Sequence, residues 1–168
     1  ATNLLDFMCA NSDNVAFKVS CISKCGLAKS LHCDILYTSA DRLCWLHEGS
    51  KMGIGSSCEP KFTPIEIKSA TKNSSKDQAL GRICDSVPGK RVICVSFGSP
   101  NFRKYVWTSQ YRAQVLHHAM VYDSNYVLFV TALVCEIVYV VVVHISPFVR
   151  TKYREFAMSM RQHLEWYA

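Results

Sequence analysis

A run of 19 residues from Val127 to Ile145 carries one formally charged side chain, Glu136, and approaches the length that spans a bilayer as a helix. A membrane helix and a pair of buried strands are the two ways to fold such a segment. Most of its residues are β-branched, and Cys135-Glu136 divides it near its middle. β-Branched side chains lose rotamer freedom in helices and pack well on a pleated surface. A carboxylate at mid-bilayer adds a cost of about 2.5 to 3.5 kcal/mol. The run is therefore read as two adjacent buried strands, Tyr126 to Leu133 and Glu136 to Ile145. A membrane anchor over 127–145 is the weaker alternative.

The rest of the chain agrees with an ordinary globular protein. It has 168 residues, 49% of them hydrophobic, and is expected to form one domain over 1–168. A domain of that size buries roughly 70% of its unfolded surface, so no disulfide or structural metal is required. The formal charge of +6 favours a polyanionic partner, since net charge governs association rather than fold. Nine cysteines, an odd number, several of them inside apolar runs, point to free thiols in a reducing intracellular compartment, nucleus or cytoplasm. A zinc site from Cys21, Cys25, His32 and Cys33 competes weakly, because paired C-x2-C spacings are absent. The opening segment lacks a charged stretch followed by an apolar core, so a processed chain or excised domain is expected rather than a signal peptide.

Elsewhere the pattern alternates between strands and helices. A short helix is expected near Leu4 to Cys9 and a strand from Val15 to Ile22. Asp34 to Leu46 holds two apolar stretches around Thr38-Ser39-Ala40-Asp41, which reads as a bent strand or hairpin with Asp41 at the bend. Residues 47 to 61 have loop composition. In Pro64 to Ser69, Ile65 and Ile67 point to one face while Glu66 and Lys68 point to the other. Residues 71 to 78 read as an exposed connection, and Arg91 to Phe97 as a strand. Ser109 to Tyr122 has helical spacing, with Tyr111, Val115, His118 and Tyr122 on one stripe. A final helix opens with Ser146 as N-cap and Pro147 at its first position. Its apolar stripe is Val149, Tyr153, Phe156, Ala157, Met160 and Leu164.

Chemistry is suggested by Asp41 at a bend, followed 25 residues later by Glu66 and Lys68 two apart on a strand. Two carboxylates supply hard oxygen ligands suited to Mg²⁺, which takes one or two protein carboxylates and completes its shell with water and substrate phosphate. A neighbouring lysine orients the attacking water and offsets charge in the transition state. Phosphodiester hydrolysis needs those parts. Spacing alone does not decide, because polar alternation on a strand usually marks a solvated face.

The local words are more specific. Thr38-Ser39-Ala40-Asp41-Arg42-Leu43, then Pro64-Ile65-Glu66-Ile67-Lys68-Ser69, then Tyr111-Arg112-Ala113-Gln114-Val115-Leu116-His117-His118, precede the apolar strand in that order. The sequence resembles the PD-(D/E)xK nuclease superfamily, particularly its lambda-exonuclease (YqaJ-like viral recombinase) branch, over roughly residues 34 to 146. The resemblance implies a restriction-endonuclease-like α/β/α core, a central mixed sheet flanked by helices, serving DNA cleavage in recombination. It implies that Asp41, Glu66 and the backbone carbonyl of Ile67 hold Mg²⁺ or Mn²⁺, that Lys68 serves the water, and that Gln114 supports the site. Ring-forming trimers occur in that branch, which leaves an oligomer open.

Departures accompany the matches. Ala40 and Arg42 stand where the family has proline and glycine, and Leu116 and His118 where the branch often has glutamines. About 40 residues separate Lys68 from Tyr111, longer than the family leads one to expect. The N-terminal helix glutamate common in the family has no counterpart, since no Glu precedes Glu48. Either Asp6 or Asp13 substitutes, or the ligand was lost by truncation.

Arg103, Lys104 and Arg112, interleaved with Tyr105 and Trp107, are candidates for gripping a nucleic-acid backbone and stacking on bases, with His118 at the scissile phosphate. A solvated basic surface and a packed histidine are the plainer readings. Glu136 is most simply a turn residue with access to water. The expectation is a Mg²⁺-dependent deoxyribonuclease acting as an exonuclease, with DNA favoured over RNA and no membrane. A catalytically inactive nucleic-acid-binding domain of the same fold is its main rival.

Overall fold

The computed structural model describes residues 3–10, 17–31, 36–48, 59–70, 78, 92–133 and 136–166. The run that dominates the sequence forms β7 (Tyr126–Leu133) and β8 (Glu136–His144), antiparallel neighbours with seven consecutive buried residues in β7. They are interior neighbours in a six-stranded mixed sheet. Its other strands are β1 (Phe17–Lys24), β4 (Arg42–Glu48), β5 (Lys61–Ala70) and β6 (Val92–Ser96), in the order β1-β4-β5-β7-β8-β6. The pairs β1/β4 and β4/β5 are antiparallel, whereas β5/β7 and β6/β8 are parallel. Strands this apolar on both faces require cover on each side. No helix among the described residues is long and apolar enough to cross a membrane.

The cover is a helix layer on each face. On one side α1 (Leu4–Ala10) places Phe7 and Met8 against Leu128, Val130, Val140 and Val142. On the other, α2 (Pro100–Tyr105) and α3 (Ser109–Val121) pack Phe102, Tyr111, Val115 and Ala119 against Val127, Phe129, Val141 and Val143. The alternation of β7 and β8 thus feeds two separate cores. The last helix, α4 (Pro147–Trp166), begins as its sequence suggests, with the Val149 N–H donating to Ser146 Oγ at 3.3 Å.

Several expectations change. The stretches flanking Thr38 to Asp41 do not form a hairpin or one bent strand. The first becomes β3 (Tyr37–Thr38), which pairs with β2 (Ala28–Lys29) in a separate ribbon, while β4 joins the main sheet. The turn therefore changes sheets. Pro64 lies inside β5, one residue before pairing with β7 begins at Ile65, so its missing N–H removes no bond on that side. Helix α2 is an element that the basic-aromatic reading of 103–107 overlooked, although Ser99 accepts from the Phe102 N–H and Pro100 starts the helix. The stripe of α4 is only partly covered: Ala157 is buried, while Phe156 and Met160 are exposed. Most of the 47–61 loop, the 71–78 connection apart from its last residue, Asp13, His32 and Cys33 lie outside the described residues.

Candidate active site

The geometry starts at the end of a strand pairing. β4 accompanies β5 only as far as Arg42 opposite Ile65, so β5 runs on past the start of β4. Asp41, the residue before β4, fills the opened edge: its Oδ2 accepts from the Ile67 N–H at 2.7 Å. The N–H and C=O of one strand residue point to the same side, which turns the Ile67 carbonyl toward that edge too. Along β5 the side chains then alternate. Ile65 and Ile67 border an apolar cavity of about 440 Å³ beside α1, and Glu66 and Lys68 face α3.

The polar side of β5 is not a solvated face. Glu66 is 5% exposed, and both of its carboxylate oxygens are held. Oε1 accepts from Lys68 Nζ, and Oε2 accepts from His118 Nε2 at 2.7 Å. Burial by itself would raise this carboxyl, but the hydrogen bonds from His118 and Lys68, with their positive charge, outweigh it and hold the group below its ordinary value. The Lys68 ammonium also lies over the Tyr111 ring, 4.7 Å from its centroid. His118 in turn meets Thr38 Oγ1 through Nδ1 at 2.8 Å.

Asp41, Glu66, Gln114 and His118 line one open cavity of about 500 Å³ together with residues of the β3–β4 turn and α3. Gln114 Oε1 is buried without a hydrogen-bond partner among the described residues. At the rim, His117 Nε2 donates to the Tyr37 carbonyl at 2.6 Å, and its Nδ1 meets the Tyr153 hydroxyl of α4 at 2.9 Å. Gln110, Gln114 and His117 recur at four- and three-residue steps, so one polar stripe of α3 faces the cavity. Gln110 was not singled out from the sequence, and Tyr153 was named only as part of the apolar stripe of the last helix. A polar stripe at helical spacing beside an apolar one is the signal that would have found Gln110.

The predicted residues therefore divide. Asp41, Glu66 and Gln114 line the cavity, Lys68 is bonded to Glu66, and the Ile67 N–H is bonded to Asp41 while its side chain borders the apolar cavity. Asp6 does not join them: it is an exposed residue of α1, which covers the opposite face of the sheet, and it is not among the residues lining the cavity. Arg103 and Lys104 are exposed on α2, which leads directly into α3. Arg112 is committed to structure, its Nη1 donating to the Val106 carbonyl at 3.1 Å beyond the end of α2. The interleaved aromatics are core components rather than stacking platforms. Tyr105 is buried, and Trp107 packs edge-on against Tyr111 and Phe129. His118, at 4% exposure, spends both ring nitrogens inside the protein instead of on a phosphate.

Among the described residues no cluster of three or more His, Cys, Asp and Glu side chains forms a ready metal site. The oxygen donors nevertheless fit a hard divalent cation in kind: two carboxylates, a strand-edge carbonyl and the unpartnered buried oxygen of Gln114. Cys21, Cys25, Cys44 and Cys94 are free thiols. Burial pushes the Cys44 thiol up to about 12, as suits a small core residue rather than a nucleophile or ligand.

No family model, curated protein or solved structure matches the chain significantly.

Proposed function

We propose that the chain is a metal-dependent nuclease that hydrolyses DNA phosphodiester bonds as an exonuclease, built on a restriction-endonuclease-like core of the PD-(D/E)xK superfamily and its lambda-exonuclease branch. One observation carries this reading. Asp41, from the turn before β4, and Glu66, on β5, line one open cavity with Gln114, and Lys68 is bonded to Glu66. The central mixed sheet with helices on both faces is the coarse architecture that such a nuclease requires. Free thiols among the described cysteines suit action in a reducing compartment, nucleus or cytoplasm, in DNA recombination.

Mg²⁺ or Mn²⁺ would be held by Asp41, Glu66, the Ile67 carbonyl and Gln114, and when bound would polarise the scissile phosphate and acidify a water molecule. The chain's own residues supply the rest. Asp41 is fixed by the Ile67 N–H, which keeps one carboxylate oxygen in place. Lys68, held between Glu66 and the Tyr111 ring, orients water and offsets phosphate charge once it leaves the carboxylate. Exposed Arg103 and Lys104 add positive charge for the backbone beside the helix that borders the cavity.

Incubating the protein with end-labelled linear and closed circular DNA, with Mg²⁺, Mn²⁺ or EDTA, tests this. Metal-dependent loss of the linear substrate alone is expected, and an RNA arm checks the choice of nucleic acid. A chain carrying both Asp41→Asn and Lys68→Ala that still degraded DNA would overturn the assignment. The second reading, a nucleic-acid-binding domain without chemistry, is favoured by the full occupation of both Glu66 oxygens within the protein. Retention of labelled DNA without cleavage at any divalent-ion concentration selects it.

A further inference from the structure

We infer that Thr38 and His118 act as a positioning pair for Glu66, fixing one carboxylate oxygen so that the other is presented to a divalent cation. The inference rests on the metal-dependent reading above and deepens it. All three residues are buried, at 8%, 4% and 5% exposure. They come from β3, α3 and β5, so the contact unites the small ribbon, the helix layer and the main sheet.

The direction of the hydrogen bonds follows from the groups. Ionised Glu66 only accepts, so His118 Nε2 carries the proton it donates to Oε2. His118 Nδ1 shares a hydrogen bond with the Thr38 hydroxyl, so the ring is held at both nitrogens. Thr38 thereby fixes the ring orientation that His118 needs. Oε2 is held by a donor packed in the core, whereas Oε1 is held by Lys68, whose side chain is 17% exposed and ends a flexible stem. The two oxygens are not equivalent. A cation arriving from the cavity competes with Lys68 for Oε1, while the imidazole keeps the carboxylate from turning. Displaced from Oε1, the ammonium becomes available to water and phosphate. Without His118, the carboxylate loses its only fixed donor and closes on Lys68.

Groups that orient a ligand carboxylate typically change metal affinity about 10- to 100-fold when removed. The full chain is titrated with Mn²⁺ alone, without DNA, and free ion is read by electron paramagnetic resonance. Thermal melts in parallel report folding. His118→Leu should weaken Mn²⁺ binding about 10- to 100-fold, and His118→Gln, whose amide N–H replaces Nε2–H, should restore most of it. Thr38→Val, close in volume, should weaken binding severalfold in the wild-type background and add nothing beside His118→Leu, because the two act in series. Should His118→Leu fail to fold, Thr38→Val and His118→Gln carry the test. Unchanged Mn²⁺ affinity in folded variants of both residues overturns this inference alone. A wild-type chain that binds no Mn²⁺ overturns it together with the nuclease reading, so the two failures are distinct.

Discussion

Helix α3 is buried along Tyr111, Val115, His118 and Ala119, whereas α4, which meets it through His117 and Tyr153, buries only Ala157 among its described side chains. Phe148, Phe156 and Met160 of α4 stand in water. The better apolar stripe belongs to the more exposed helix. Helix α3 has little amphipathic character because the face it turns inward carries Gln114 and His118, and a site that needs polar groups under a helix erases the periodicity that usually reports burial. Helix α4 is attached at few points. Arg150 bonds Asp123 and Asn125, and Tyr153 reaches His117. Its pairs Lys152–Glu155 and Arg161–Glu165 are exposed and contribute little.

If α3 covers a working site, the largest effect belongs to the residues it covers. Lys68→Ala or Asp41→Asn should lower the rate of metal-dependent DNA cleavage by about 10²- to 10³-fold or more, the scale seen when one preorganised electrostatic group is removed. The melting temperature of Asp41→Asn should stay close to wild type, because Asp41 is exposed. Single-turnover cleavage beside a melt reads both. Next comes the packing of α3 itself. Met120 is 1% exposed, and Met120→Ala should cost about 2 to 5 kcal/mol in denaturant unfolding. A loss below 1 kcal/mol would mean that α3 is held no better than α4.

The charged pocket under α3 also makes stability depend on pH. The Glu66 carboxyl lies below its ordinary value of 4.5 in the folded protein, so its ionised form stabilises the fold at pH above that value. This contribution is lost as pH falls through the lowered pKa. Wild-type protein should therefore lose stability on acidification more steeply than Glu66→Gln, which has no carboxyl to protonate. Denaturant midpoints from pH 7 to pH 3 compare them. Parallel curves would show that His118 and Lys68 do not favour the ionised form.

What the sequence made legible follows the range of the interactions. β7 and β8 are readable because burial on both faces is written residue by residue, and Ser146-Pro147 is readable because a cap is local. Asp41, Glu66, Lys68 and Gln114 were singled out because short words place them at a bend, on a strand and on a helix. The contacts that hold them were not. His118 reaches Thr38 across 80 residues of sequence and Glu66 across 52, and no periodicity encodes either contact. The Thr38–Asp41 turn misled for a related reason: two apolar stretches around a polar turn look like a hairpin, and only pairing with β2 and β5 shows that they part company. Tyr105 and Trp107 read as nucleic-acid contacts because aromatic residues beside arginines have the same composition in a core as on a surface.

The smallest effect tests the other helix. Phe156 is 61% exposed, so Phe156→Ser removes little buried area and should change stability by no more than about 0.5 kcal/mol. The same substitution at a covered position of an apolar stripe would cost several times that, because it would leave a cavity and a buried hydroxyl without a partner. Helix propensity changes little between the two residue types, so it does not blur the comparison. Equilibrium unfolding in urea reads the difference directly. A loss of 2 kcal/mol or more would mean that Phe156 is covered in solution, and the contrast between a buried, polar α3 and an exposed, apolar α4 would disappear with it.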